Sequence, residues 1–146
     1  MFLGIYWNNH HHLLQLVERI NGAVMWANMH LLFWLSLVPF VTAWAGSHLD
    51  APVPAALYGV VLLMAGVAYF IMEREMVREN GPQSMLAEAL GRDRKAMLSM
   101  VGYIVAIVLA FVSPRLADLI YVLVAAMWIV PDRRIAPRVR DLDLSG

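Results

Sequence analysis

Residues 23–45 read AVMWANMHLLFWLSLVPFVTAWA, twenty-three positions without a formal charge. A span of about 20 apolar residues is what a helix needs to cross a bilayer. Such a stretch leaves a chain few alternatives, because its backbone must close its own hydrogen bonds wherever water is absent. Residues 54–72 form a second uncharged run. Residues 97–112 and 116–130 are shorter, and only Ser113, Pro114 and Arg115 separate them. Serine at a cap followed by proline at the first helical position starts a helix well. The last two runs therefore read as a tight helical hairpin that takes flanking residues to reach both interfaces.

Composition agrees with this solvent. Of 146 residues, 61% are hydrophobic and 15% charged, against roughly 45–50% and 25% in a soluble domain. The surplus of apolar side chains exceeds what a single soluble core of this length can bury. The reading is an all-α polytopic membrane bundle, with four full transmembrane helices and a truncated one at the N-terminus. Residues 1–131 form the membrane domain, and residues 132–146 a polar, proline-containing, disordered tail. Lysine and arginine balance aspartate and glutamate at 11 each, so no basic field points to nucleic acid. The chain has no cysteine, which excludes disulfides, thiolate metal sites and cysteine nucleophiles.

Charge placement orients the bundle. Arg19 precedes the first long run, and Arg74, Arg78, Arg92, Arg94 and Lys95 follow the second. Arg133, Arg134, Arg138 and Arg140 follow the last, and only Arg115 sits in the hairpin turn. Crossing at each run collects ten of the eleven basic residues on one side, which the positive-inside rule makes cytoplasmic. The expected location is the cell membrane, multi-pass, with a cytoplasmic C-terminus. Trp7, Trp26, Trp44 and Trp128 lie near run ends, as an aromatic belt places them. Residues 73–96 read as the one sizeable polar loop, a solvated linker broken at Gly81-Pro82, with 83–90 as a candidate surface helix. Counting back from Arg19, residues 1–16 descend from the outer side. That stretch is short for a crossing and unlike a signal peptide, so the sequence is expected to start inside a membrane helix.

That first segment carries the polar cluster Asn8, Asn9, His10, His11 and His12. Successive helical residues point about 100° apart, so three consecutive histidines cannot share one metal ion. No metal site is expected. Polar side chains inside a membrane face a bundle interior or a wet path. Trp7, His10 and His11 share a face, and Asn28 and His30 on the next run offer hydrogen-bond partners. The alternatives are interhelical bonding alone or a functional path. No carboxylate accompanies the histidines, and Asp118 reads as an end-of-helix residue suited to the helix dipole. Without a paired nucleophile, no catalytic residue and no cofactor are expected, and the chain is not read as an enzyme.

The motifs Tyr6-Trp7-x-Asn9-His10, then Asn28, Leu31-Leu32-Phe33 and Pro39-Phe40-x-Thr42, resemble the bacterial branch of the transmembrane protein 175 family of potassium channels. The resemblance is close over residues 2–72 and looser through the last hairpin. It implies passive permeation of potassium ions through a pore in the lipid bilayer, formed by a homo-oligomer and gated by apolar side chains that dewet. It implies six helices per subunit, the first carrying an Arg-x-x-x-Phe-Ser-Asp signature and lining the pore. The present sequence lacks that signature and aligns from partway along the second helix. Trp7, Asn9 and His10 would then support the pore helix from behind, and Asn28, His30 and Thr42 would make interhelical polar contacts. By itself the chain is expected to insert without forming a normal pore. The alternatives are a non-conducting remnant or accessory subunit, or a proton-coupled carrier using the histidine and asparagine cluster.

Overall fold

The computed structural model describes residue 4, residues 21–81 and residues 94–129. Within them lie four helices and no strand: α1 (Gly22–Ser47), α2 (Pro52–Asn80), α3 (Arg94–Ala110) and α4 (Pro114–Ile129). The all-α reading holds for these residues. The tail from 132 on, the segment 83–90 and the cluster at 8–12 lie outside them.

Local chemistry sets the helix ends. Asn21 caps α1 by accepting a hydrogen bond from the Val24 amide at 2.9 Å, which satisfies one of the free donors of the first turn. Its amide nitrogen also donates to the Glu79 carboxylate near the end of α2. One residue thus closes the helix and ties it to its neighbour. At the other end His48 N–H bonds Ala45 O, and Ala51 N–H bonds His48 O, turning the chain before Pro52 opens α2 at its first position. A connection this short forces α1 and α2 antiparallel. The expected hairpin between α3 and α4 is present. Val112 and Ser113 N–H both bond Leu109 O, and the Ser113 carbonyl accepts from Leu116 and Ala117.

One boundary differs from the hydropathy reading. Residues 73–80 (EREMVREN) continue α2 rather than open a loop, and α3 begins at Arg94, inside the expected linker. Glutamate, arginine and methionine are good helix formers, and charge by itself ends a membrane run, not a helix. Glu75 and Arg78 pair at 3.8 Å one turn apart. The helix stops at Gly81, whose φ of 91° suits glycine.

At 26 and 29 residues, α1 and α2 are about 39 and 44 Å long, more than a hydrocarbon core of about 30 Å. Both are long and apolar enough to cross a membrane, and Ala96–Ala110 is a shorter apolar helix. Pro39 lies inside α1 and withholds a donor from the Leu35 carbonyl. Such breaks are tolerated in membrane helices where hydroxyls bond the nearby backbone. Ser36 Oγ donates to Phe33 O and Thr42 Oγ1 to Val38 O, each at 2.7 Å.

Packing divides into two cores. At the end holding both short turns, Val38 and Val41 of α1 meet Ala55, Ala56 and Leu62 of α2. Tyr103 and Ala106 of α3 and Ala117 and Tyr121 of α4 complete that core. At the other end Val24, Ala27 and Leu31 of α1 pack on Ala65, Ala68, Met72 and Met76 of α2. Small residues dominate the contacts, as they do between membrane helices, where close backbone approach drives association. The outward surface is apolar and aromatic, with Trp26, Phe33, Phe40 and Val108 all exposed.

Candidate functional site

Asn28, His30 and Thr42 all project from α1, but they do not converge. Asn28 and His30 are two residues apart and point about 200° apart around the axis. They flank the buried stripe on opposite sides, Asn28 half-buried and His30 exposed. Thr42 lies about 18 Å further along the helix from His30.

His30 has a defined tautomer. Trp34 Nε1–H donates to His30 Nε2 at 2.9 Å, with the rings edge to face at 6.4 Å between centroids. A nitrogen that accepts carries no proton, so in the neutral ring the proton sits on Nδ1. Its partner is on the same helix one turn on, not on a neighbouring one. Thr42 donates its one proton to Val38 O, and its hydroxyl lies within hydrogen-bond reach of Tyr58 of α2. That contact joins two helices. Trp7, Asn9 and His10 lie outside the described residues.

A second polar group was missed in the sequence. Tyr121 of α4 is buried, and its hydroxyl donates to Ala55 O of α2 at 3.0 Å. It passes over Gly59, where a Cβ would lie 2.1 Å from Tyr121 Oη and 2.7 Å from Ile107 Cγ1. The Tyr58 ring stands edge-on to Tyr121 at 5.1 Å, and Tyr103 lies at 6.4 Å. Asp118 is half-buried one turn before Tyr121. The available signal was a glycine and several tyrosines within apolar runs, but nothing local paired them. Glu73 was also missed: it is buried on α2 beside Met72 and Met76, having been read as the start of a loop.

This arrangement offers interhelical hydrogen bonds and a close-packed aromatic junction. Among the described residues, no group of three or more His, Asp or Glu side chains is placed to hold a metal ion.

Comparison with known proteins adds to the geometry. Residues 1–39 match the profile of the family described as endosomal/lysosomal potassium channel TMEM175. The chain is 44% identical over 141 residues to a potassium channel of Chryseobacterium sp. (strain P1-3), covering 97% of this chain and 73% of that protein. It is 28% identical over 123 residues to a potassium channel of Streptomyces collinus (strain DSM 40733 / Tue 365), covering 80% of this chain and 60% of that one. No solved structure matches.

Proposed function

Since the chain belongs to the TMEM175 family of potassium channels, we propose that it is a channel subunit through which potassium passes passively, in a pore shared by several copies. The observation that carries this is 44% identity across 97% of the chain to a protein named a potassium channel. Exposed aromatic and aliphatic side chains on every described helix suit a protein that meets lipid and other subunits.

All four described helices cross the cell membrane in this reading, with the C-terminus in the cytoplasm. Their antiparallel succession through two short turns supports it, as does the basic excess at the opposite end. At 17 and 16 residues, α3 and α4 are about 26 and 24 Å long, a few ångströms under the core thickness, which local thinning of the bilayer accommodates. Residues 1–131 form the membrane domain, and residues 132–146 a cytoplasmic tail. Trp7, Asn9 and His10 brace the pore-lining helix. Asn28 and Thr42 serve contacts between helices, each worth about 0.6 kcal/mol in a membrane, whereas His30, bonded to Trp34 on its own helix, would do so only across a subunit boundary. Thr42, which meets Tyr58, has the most direct support.

The test is ion flux. Liposomes carrying the protein extended upstream by the family's first, pore-lining helix should release potassium down its gradient in preference to sodium. Equal leakage of both ions, or none above empty liposomes, overturns the reading.

A further inference from the structure

One stripe of α2 changes character along its length. Gly59, Leu63, Phe70 and Arg74 share that face, since Phe70 follows Gly59 by three helical turns, about 16 Å along the axis. At Gly59 the α3–α4 hairpin presses so close that a single methyl group would collide with Tyr121 and Ile107. Leu63 is half-buried, Phe70 is 42% exposed, and Arg74 is exposed. On the facing helix, Ile107 meets Gly59, and Met100 and Ala96, two and three turns earlier on the same side, are half-buried, as Ile107 is. At that end the hairpin holds to itself, with Trp128 Nε1–H donating to Ser99 Oγ at 2.8 Å. The described helices therefore bound an apolar wedge between α2 and α3 that opens toward the basic end.

Arg74 stands at its mouth. Its guanidinium lies over the Phe70 ring, 5.8 Å from the centroid. No carboxylate pairs with it among the described residues, whereas Arg78, one turn further, pairs with Glu75. An aromatic face orients the cation without neutralising it.

We propose that this wedge binds an anionic phospholipid, with an acyl chain along Leu63 and Phe70 and the phosphate on Arg74. The shape takes a chain, the unpaired guanidinium takes a phosphate in two-pronged fashion, and the basic end faces the leaflet where anionic lipids concentrate. This inference rests on the membrane topology given under the proposed function.

Delipidated protein in neutral detergent is mixed with phosphatidylglycerol, phosphatidylcholine or glycerol phosphate, and bound mass is read by native mass spectrometry. Phosphatidylglycerol should bind at least fivefold better than phosphatidylcholine, and glycerol phosphate should neither bind nor compete. Arg74→Gln should lose about fivefold, the effect of one basic residue at an anionic surface. Arg74→Lys should keep most of the preference, and Arg78→Gln should change little. Equal binding of the two lipids, competition by glycerol phosphate, an unaffected Arg74→Gln, or a second copy of the chain in place of lipid each overturns the proposal. Because mass is read in detergent, the result is independent of whether the protein conducts, and a failed flux assay leaves it standing.

Discussion

Replacing Gly59 with alanine adds one methyl group where the bundle leaves a described glycine the least room. The new Cβ would sit 2.1 Å from Tyr121 Oη, 2.7 Å from Ile107 Cγ1 and 2.9 Å from Tyr121 Cζ. Ordinary contact needs more than a further ångström from the hydroxyl. Ile107 can rotate away, but Tyr121 cannot do so cheaply. Its ring is wedged against Tyr58 and Tyr103, and its hydroxyl is committed to Ala55 O. Overpacking of this kind costs about 1–3 kcal/mol, and loss of the interhelical bond about 0.6 kcal/mol more. Alanine regains roughly 1 kcal/mol of helix propensity over glycine, leaving a net destabilisation of about 0.6–2.6 kcal/mol. The assay is a double-mutant cycle in mixed micelles, unfolding wild type, Gly59→Ala, Tyr121→Phe and the double variant with increasing SDS. Tyr121→Phe should lose about 0.6 kcal/mol. The double variant should lose less than the sum, since the first atom struck is gone. A Gly59→Ala protein as stable as wild type, or strictly additive losses, would refute the claim that α4 is seated by this contact.

Further outcomes follow from single contacts. Trp34→Phe removes the donor to His30 Nε2, so nitrogen NMR should show the His30 proton spreading from Nδ1 to both ring nitrogens; an unchanged tautomer would contradict the bond. Asn21→Ala removes a helix cap and the tie to Glu79 together and should cost about 1 kcal/mol or a little more, with faster amide exchange at Val24, and exchange no faster than wild type would count against it. Asp50→Ala breaks the pair with Arg115 at 2.9 Å, but both side chains are exposed, so the unfolding midpoint should not move measurably in physiological salt. With no native cysteine, Arg78→Cys supplies a unique label site, and an impermeant maleimide should reach it only from the cytoplasmic side. Labelling from outside intact cells would invert the topology.

Much of the architecture was legible from the sequence by itself, because the forces that set it are local. Uncharged runs mark α1 and α2, since an apolar stretch of that length has one low-energy solvent. Ser113-Pro114 marks a helix start, since a proline ring fits the first turn and little else. The motifs at Trp7-x-Asn9-His10 and Pro39-Phe40-x-Thr42 led to the family, which comparison with known proteins supports. Tertiary structure decided the rest. Hydropathy ended the second run at Met72, yet the helix continues to Asn80, where Glu73 is buried and Glu79 anchors Asn21. A charge alters solvent preference at one position, while helix continuation depends on the backbone and its neighbours. Asn28, His30 and Thr42 looked like one polar set and are three separate positions, because helical rotation and rise separate what sequence lists together. The contact of Tyr121 with Gly59 and Ala55 carries no local signature at all. It exists because α4 crosses α2 where a missing side chain leaves room for a phenol, and only the packed bundle brings those two positions together.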